Sequence, residues 1–314
     1  MHGVEVRHRA PATVWRTLGS ARLLISGGGS LVQDVTSARS ALYYLGTMFA
    51  ARRYGVPVAV LGQGVGPILR PWIRRLAAQA FAQADVISVR DLESARTLEA
   101  LGVEREIHLG ADLALLAPSA DPDAVQTRVA AEGLDRAPIR VGVAVRAWPG
   151  MRDPEELGRG IGRFAETFGA RIAVFPFDSD QDREVSAAVA RGAVGRVVEA
   201  RTPQEMLGLV GAMDLMVAVR LHGIIFSAVH AVPAVALAYD PKVAAFMSEV
   251  GLPGLLPVDS TGLAVAEAMS RAWDGRIALR SRLRAAVPRL RDRAEAGIER
   301  VAHLLTASDG PQRE

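Results

Sequence analysis

The sequence predicts an α/β protein built on doubly wound parallel sheets, and three observations carry that expectation. Apolar runs rich in β-branched residues recur along the chain, they are continuous rather than alternating, and stretches of helical spacing separate them. Continuous runs belong to strands buried on both faces, as in parallel sheets flanked by helices. The repeated strand, helix, strand order then sets the fold class.

In chain order, a short helix is expected over 12–19, followed by a strand at Leu23-Leu24-Ile25. Further strands are expected over 58–61, 86–89, 141–145, 172–175, 215–219 and 234–237. Between them, 40–54, 71–84, 92–101, 154–168, 203–211 and 242–250 carry helical spacing. Pro71, Pro154 and Pro203 sit where a helix begins, a position at which the missing N–H has no intrahelical partner to lose. Pro118, Asp121 and Pro122 mark a change of composition before a new strand at Arg140, which divides the chain into Rossmann-like domains over 1–135 and 136–275. The remainder, 276–314, is an Arg-rich helical tail expected to pack back across the domains, with Leu283, Val287, Leu290 and Ile298 on one face and a polar end after Thr306.

Composition narrows the chemistry. The 314 residues, 50% of them hydrophobic, suffice for two cores. Cysteine is absent, which removes disulfides, thiolate catalysis and cysteine metal sites together. The six histidines lack ligand spacing, so no metal is expected. A formal charge of 37 − 34 = +3, with the basic residues dispersed, predicts no nucleic-acid partner and suits a small anion better. Every long apolar run is interrupted, so no integral membrane segment is expected, and no export signal is read; the cytoplasm is the expected location. Lys242 is the one lysine beside an otherwise all-arginine basic set, which hints at a task a guanidinium cannot do.

Two glycine-rich turns follow strands: Ser26-Gly27-Gly28-Gly29-Ser30 and Gly62-Gln63-Gly64-Val65-Gly66-Pro67. Such turns allow close backbone approach and favour anions, but they serve equally as tight structural turns, and neither is the dinucleotide fingerprint. Val219-Arg220-Leu221-His222-Gly223 ends one strand and opens an apolar helix. There Arg220 and His222 either face a ligand crevice or are satisfied locally, by a carboxylate and by a helix end. Tyr239-Asp240-Pro241-Lys242 follows the next strand, and a lysine at a helix N-terminus opposes the macrodipole preference unless an anion meets it. Arg146 adds a cation at the same sheet edge.

The run Leu24-Ile25-Ser26-Gly27-Gly28-Gly29 with Leu31, Gln33, Asp34, Val35 and Thr36, followed by Tyr43-Tyr44-Leu45-Gly46, resembles the polysaccharide pyruvyltransferase family, closest to its cell-surface-anchoring branch, usually called CsaB. The 62–67 turn, Ser88-Val89-Arg90-Asp91, Arg220-Leu221-His222 and Tyr239-Asp240-Pro241-Lys242 then match in order over about 22–258. The resemblance implies the two-domain architecture of the B-type glycosyltransferases, with ligands in the interdomain cleft. It also implies transfer of pyruvate from phosphoenolpyruvate, as a ketal, onto a wall-polymer sugar, commonly N-acetylmannosamine, which anchors S-layer proteins. No cofactor is implied beyond phosphoenolpyruvate as co-substrate. The acceptor is a polymeric or lipid-linked sugar, which leaves room for peripheral association with the inner face of the membrane.

By motif match, Arg220 and Lys242 meet the donor's phosphate and carboxylate with Arg146 and Gly223 beside them, and His222 is the acid or base. Gly27, Gly28, Gly29, Gln33, Asp34 and Gln63 belong to candidate cleft loops. Family members normally carry further strands before the triple-glycine loop, so the N-terminal domain reads as truncated, by a misplaced start or a reduced protein, with the Arg22 strand left as an apolar edge. Two alternatives stand beside this reading: a nucleotide-sugar glycosyltransferase of the same architecture, and a non-catalytic relative.

Overall fold

The computed structural model describes residues 4–6, 10–35 and 37–307; Thr36 of the glycine-loop motif and the end beyond residue 307 lie outside the described residues. The chain divides into two compact units, one from Met1–Leu113 with Leu290–Glu314 and the other Ala114–Arg289. In the first unit, α1 (Pro11–Leu18), β1 (Leu24–Gly27), α2 (Ala38–Arg53), β2 (Val58–Gln63), α3 (Pro71–Ala82), β3 (Val86–Val89), α4 (Leu92–Ala100) and β4 (Ile107–Leu109) follow in order. The strands form a parallel sheet in the order β1-β2-β3-β4. Strand β1 is an edge, and Ile25 on it is 50% exposed, as an apolar edge predicts.

Alternation along β2 separates the two faces of this sheet. Val58 and Val60 point into a core with Leu45, Met48, Ile73, Phe81 and Leu98, which come from α2, α3 and α4. Ala59 and Leu61 point the other way, against Val301. Val301 lies near the end of the long helix that closes the chain.

The second unit holds α5 (Pro122–Ala131), β5 (Ile139–Ala144), α6 (Pro154–Phe168), β6 (Ala170–Val174), α7 (Arg183–Ala193), β7 (Arg196–Val197), α8 (Pro203–Gly211), β8 (Leu215–Ala218), α9 (Leu221–Val229), β9 (Ala234–Ala238), α10 (Pro241–Glu249), β10 (Leu255–Pro257), α11 (Gly262–Asp274) and α12 (Arg276–Ala307). Residues of α12 from Leu290 onward belong to the first unit. The sheet of the second unit is wholly parallel, in the order β10-β9-β8-β5-β6-β7. This is a doubly wound order: the chain winds outward from β5 to β7, returns to the middle at β8, and winds the other way to β10. Helices α6, α7 and α11 pack together as one set and α5, α8, α9 and α10 as another. The direction of winding reverses between β5 and β8, and the crevice outside their carboxyl ends is where such sheets receive ligands.

Several elements gave little sequence signal. Strands β4, β7 and β10 run two or three residues, too short for a periodicity. In α12 the sequence reading misjudged the helical phase: Leu283, Val287 and Leu290 are buried as expected, but Ile298 is 43% exposed. The buried stripe runs instead through Ala294, Gly297 and Val301. A Cβ on Gly297 would sit 2.8 Å from Ser88 Oγ, so the helix approaches the first sheet too closely for a larger side chain.

Candidate functional site

Most polar groups of the first unit's glycine loops are engaged within that unit, Gln63 Nε2 being buried without a partner among the described residues. Gly28 and Gly29 adopt left-handed φ of 73° and 62°, and the loop lies alongside the 62–67 turn. Gly28 N–H donates to Leu61 O, Gly64 N–H to Gly29 O and Gly66 N–H to Val32 O, so parallel pairing continues past the strand ends. Gln63 is fully buried and its Oε1 accepts from Ser26 Oγ at 2.9 Å. Gln33 Oε1 accepts from Val35 N–H.

Asp34 is 1% exposed, and its carboxylate accepts the amides of Leu69 and Arg70 at 2.7 and 2.8 Å. Burial raises its pKa, but these amides and the charge of Arg70 outweigh that effect and hold it below the usual carboxylate value. Arg90, 7% exposed, donates to Asp91, Asp112 and Ser30 Oγ. Gly64 makes room for it, because a Cβ there would lie 2.6 Å from Arg90 Nη2. These motif residues act as staples between loops.

The second unit is built differently. Arg146 and Arg220 each lie two residues past the paired Ala144 and Ala218 of β5 and β8, on either side of the point where the winding reverses. Helix α9 starts directly after Arg220, and its first turn lies against both strand ends. A Cβ on Gly223 would be 2.8 Å from Ala144 Cβ and 3.2 Å from Ala218 Cβ, so glycine permits this approach. Arg220 supplies no side-chain cap to α9. His222, on that turn, is exposed, and its ring lies edge-on to Phe226 at 6.3 Å.

Each cation has a defined setting. Arg220 forms a two-pronged bond with Asp182, Nε to Oδ2 at 2.9 Å and Nη2 to Oδ1 at 2.5 Å. Asp182 is fully buried, and the guanidinium side chain is 18% exposed. Lys242 Nζ lies 2.6 Å from Asp240 Oδ2, with both side chains about a quarter exposed at 26% and 23%. Asp240 also caps α10, accepting Lys242 N–H at 3.1 Å, so this carboxylate answers the helix terminus and the lysine together. Among the described residues Arg146 pairs with no carboxylate. It donates to Tyr239 Oη at 3.3 Å and lies 5.5 Å from the Trp148 ring centroid, with Trp148 and Tyr239 stacked at 4.0 Å.

Sequence reasoning therefore named the residues at three adjacent strand ends, β5, β8 and β9, and missed those that hold them. Asp182 and Trp148 are the omissions, and Tyr239, named within its motif, was not given its contact with Arg146. A signal for Asp182 existed in Asp178-Ser179-Asp180-Gln181-Asp182, a polar run just past a buried strand in which Asp178 N–H donates to Asp182 Oδ2 and Asp178 Oδ1 accepts the amides of Asp180 and Gln181. Among the described residues no cluster of three or more His, Asp or Glu could hold a metal, and no helix is long and apolar enough to cross a membrane.

Comparison with solved structures establishes the fold as the Rossmann-like B-type glycosyltransferase architecture. The chain is similar to HepE from Anabaena in complex with UDP and glucose, at 14% identity and a TM-score of 0.60, covering 94% of this chain and 80% of that one. It is similar to a UDP-forming trehalose-phosphate synthase from Burkholderia xenovorans at 12% identity and a TM-score of 0.57, covering 98% and 81%. UDP-GlcNAc 2-epimerase from Neisseria meningitidis bound to UDP-GlcNAc gives 9% identity and a TM-score of 0.58, covering 96% and 84%. At family level, polysaccharide pyruvyl transferase matches residues 6–241.

Proposed function

This chain belongs to the polysaccharide pyruvyl transferase family and is an enzyme that places pyruvate on polysaccharide, and from that premise we propose that its donor is phosphoenolpyruvate and its product a ketal. The observation that carries the reading is the set of cations at three neighbouring strand ends of the second unit, Arg146, Arg220 and Lys242, around the uncapped first turn of α9. Phosphoenolpyruvate bears a phosphate and a carboxylate on one carbon, and separately placed cations match two anionic groups on one small molecule.

The steps assign the residues their work. A proton is delivered to the methylene carbon, making a methyl group and an oxocarbenium-like centre at the adjacent carbon. One sugar hydroxyl attacks that centre and gives up its proton; a second then closes the ring, with loss of phosphate and its own proton. His222 is exposed on the first turn of α9 and is our candidate for moving these protons, since imidazole exchanges protons near neutral pH. Arg220 and Lys242 stabilise the phosphate as it leaves. The acceptor we favour is N-acetylmannosamine in a polymeric or lipid-linked cell-wall glycan, and the physiological role S-layer anchoring, as in the CsaB-type branch. The work would take place in the cytoplasm, at the inner face of the membrane where the acceptor is lipid-linked.

The architecture shared with UDP-bound proteins supports one competing reading, a nucleotide-sugar donor. Calorimetric titration of phosphoenolpyruvate and of a UDP-sugar into the protein and its Lys242→Met and Arg146→Met variants separates the two. Phosphoenolpyruvate binding that both variants weaken supports pyruvyl transfer from that donor. Binding of the UDP-sugar alone overturns it.

A further inference from the structure

We infer that Asp182 is a positioning residue: its buried carboxylate grips one edge of the Arg220 guanidinium and so aims the other edge at the two oxygens of an anionic ligand group. The inference rests on the reading of Arg220 as a donor ligand. Guanidinium has two edges able to form paired hydrogen bonds, one through Nε and Nη2 and one through Nη1 and Nη2. The Asp182 fork takes the first edge, using Nε and one N–H of Nη2. Three of the five N–H groups remain outside it, and two of those, on Nη1 and Nη2, point in parallel along the second edge. That edge matches a carboxylate or a phosphate.

Both oxygens of the carboxylate are engaged. Oδ1 accepts from Nη2, and Oδ2 accepts from Nε and from the Asp178 amide. A wholly buried charge is expensive to keep, and breaking even with a hydrophobic pair is the usual outcome. Orientation is what the ion pair adds that an apolar pair of the same volume could not. The placement agrees with this: Asp182 immediately precedes α7, while Arg220 lies two residues past β8 and immediately precedes α9, beside the reversal of winding. The guanidinium is thus held between two elements of the scaffold. Lys242 differs, since its ammonium has no plane to orient and its partner Asp240 is part exposed.

The test titrates phosphoenolpyruvate into wild type, Asp182→Asn, Arg220→Lys and the double variant, each checked for folding by circular dichroism. Positioning predicts that Asp182→Asn weakens binding about tenfold or more, the range seen when an outer partner that orients a ligating group is removed. Arg220→Lys, which keeps the charge but lacks the second edge, should weaken it similarly, and the double variant should be no worse than Arg220→Lys alone. Wild-type affinity in folded Asp182→Asn or in Arg220→Lys overturns the inference. Tighter binding in Asp182→Asn would show the carboxylate competing with the ligand, and additive losses would show it acting elsewhere; both overturn it. Should wild type bind no phosphoenolpyruvate, the donor reading fails on its own, and the ¹⁵Nε signal of Arg220 decides the positioning. A slowly exchanging signal in wild type that Asp182→Asn abolishes supports it, and an unchanged signal overturns it.

Discussion

The glycine loops of the first unit resemble the strand ends of the second unit in sequence, since both put small and polar or charged residues just past a strand. They differ in where their polar atoms end. In the first unit Asp34 gives its carboxylate to two amides, Gln63 bonds Ser26, and Arg90 is held among Asp91, Asp112 and Ser30. In the second unit, Arg220 keeps one edge outside its fork, Lys242 is part exposed beside Asp240, and Arg146 leans on two aromatic rings. Glycine and charge near a strand end thus do not by themselves mark a ligand loop. What differs is the kind of group left with spare hydrogen-bonding capacity: in the first unit the buried Gln63 Nε2 and Ser88 Oγ, which have no partner among the described residues, and in the second the part-exposed cations Arg220 and Lys242.

The sharpest way to break this comparison is to remove a cation whose partner is buried. Arg220→Met leaves Asp182 charged and wholly enclosed, a change that costs about 3–5 kcal/mol at comparable buried pairs. Denaturant unfolding should show the midpoint falling by that equivalent, and donor affinity should be read only on the folded fraction. A midpoint close to wild type would mean that water reaches Asp182 once the arginine is gone, and the contrast with Lys242 would lose its basis.

In the first unit the expected effects are on stability with little on donor binding. Gly64→Ala places a methyl group against a guanidinium that two carboxylates hold in place, and should cost about 1–3 kcal/mol as an overpacked site does. Asp34→Asn should cost about 1–2 kcal/mol at neutral pH, since one of two amides then faces an NH₂ group instead of an acceptor. It also tests the acid limb of stability. Asp34 sits below its ordinary value of 3.8, so its contribution is complete above that value and is lost as pH falls through the lower folded-state value. Wild type should lose stability across that window, and Asp34→Asn should lose less of it. A large loss of phosphoenolpyruvate affinity in either variant would place the glycine loops in the binding site.

Much of this was legible from sequence because it rests on local pattern. Continuous apolar runs gave the long strands, and Pro71, Pro154 and Pro203 each open a helix. The positions of Arg146, Arg220 and Lys242 past strand ends followed from the same reading. Pairings across the fold were not legible. Asp182 meets Arg220 from 38 residues away and Tyr239 meets Arg146 from 93, separations at which spacing says nothing about neighbours. The order of the individual strands, which sets the ends of β5 and β8 side by side and so brings Arg146 and Arg220 to neighbouring positions, is the information that was missing.

The smallest expected effect on stability, Lys242→Met, is the most informative about function. The ammonium lies 2.6 Å from Asp240, but both side chains are about a quarter exposed, and pairs in that setting contribute about 0–1 kcal/mol. Asp240 keeps its second task after the substitution, because its Oδ1 still caps α10 through the backbone amide of residue 242. The unfolding midpoint should therefore move little while phosphoenolpyruvate affinity falls. Lys242→Arg refines the point: charge is restored, but a planar fork replaces a compact ammonium, so recovery of affinity would assign the residue a purely electrostatic role, and continued loss would show that the site needs a point donor. If Lys242→Met instead lowered stability as much as Arg220→Met does, Lys242 would belong with the staples of the first unit, and the donor would have to be held without it.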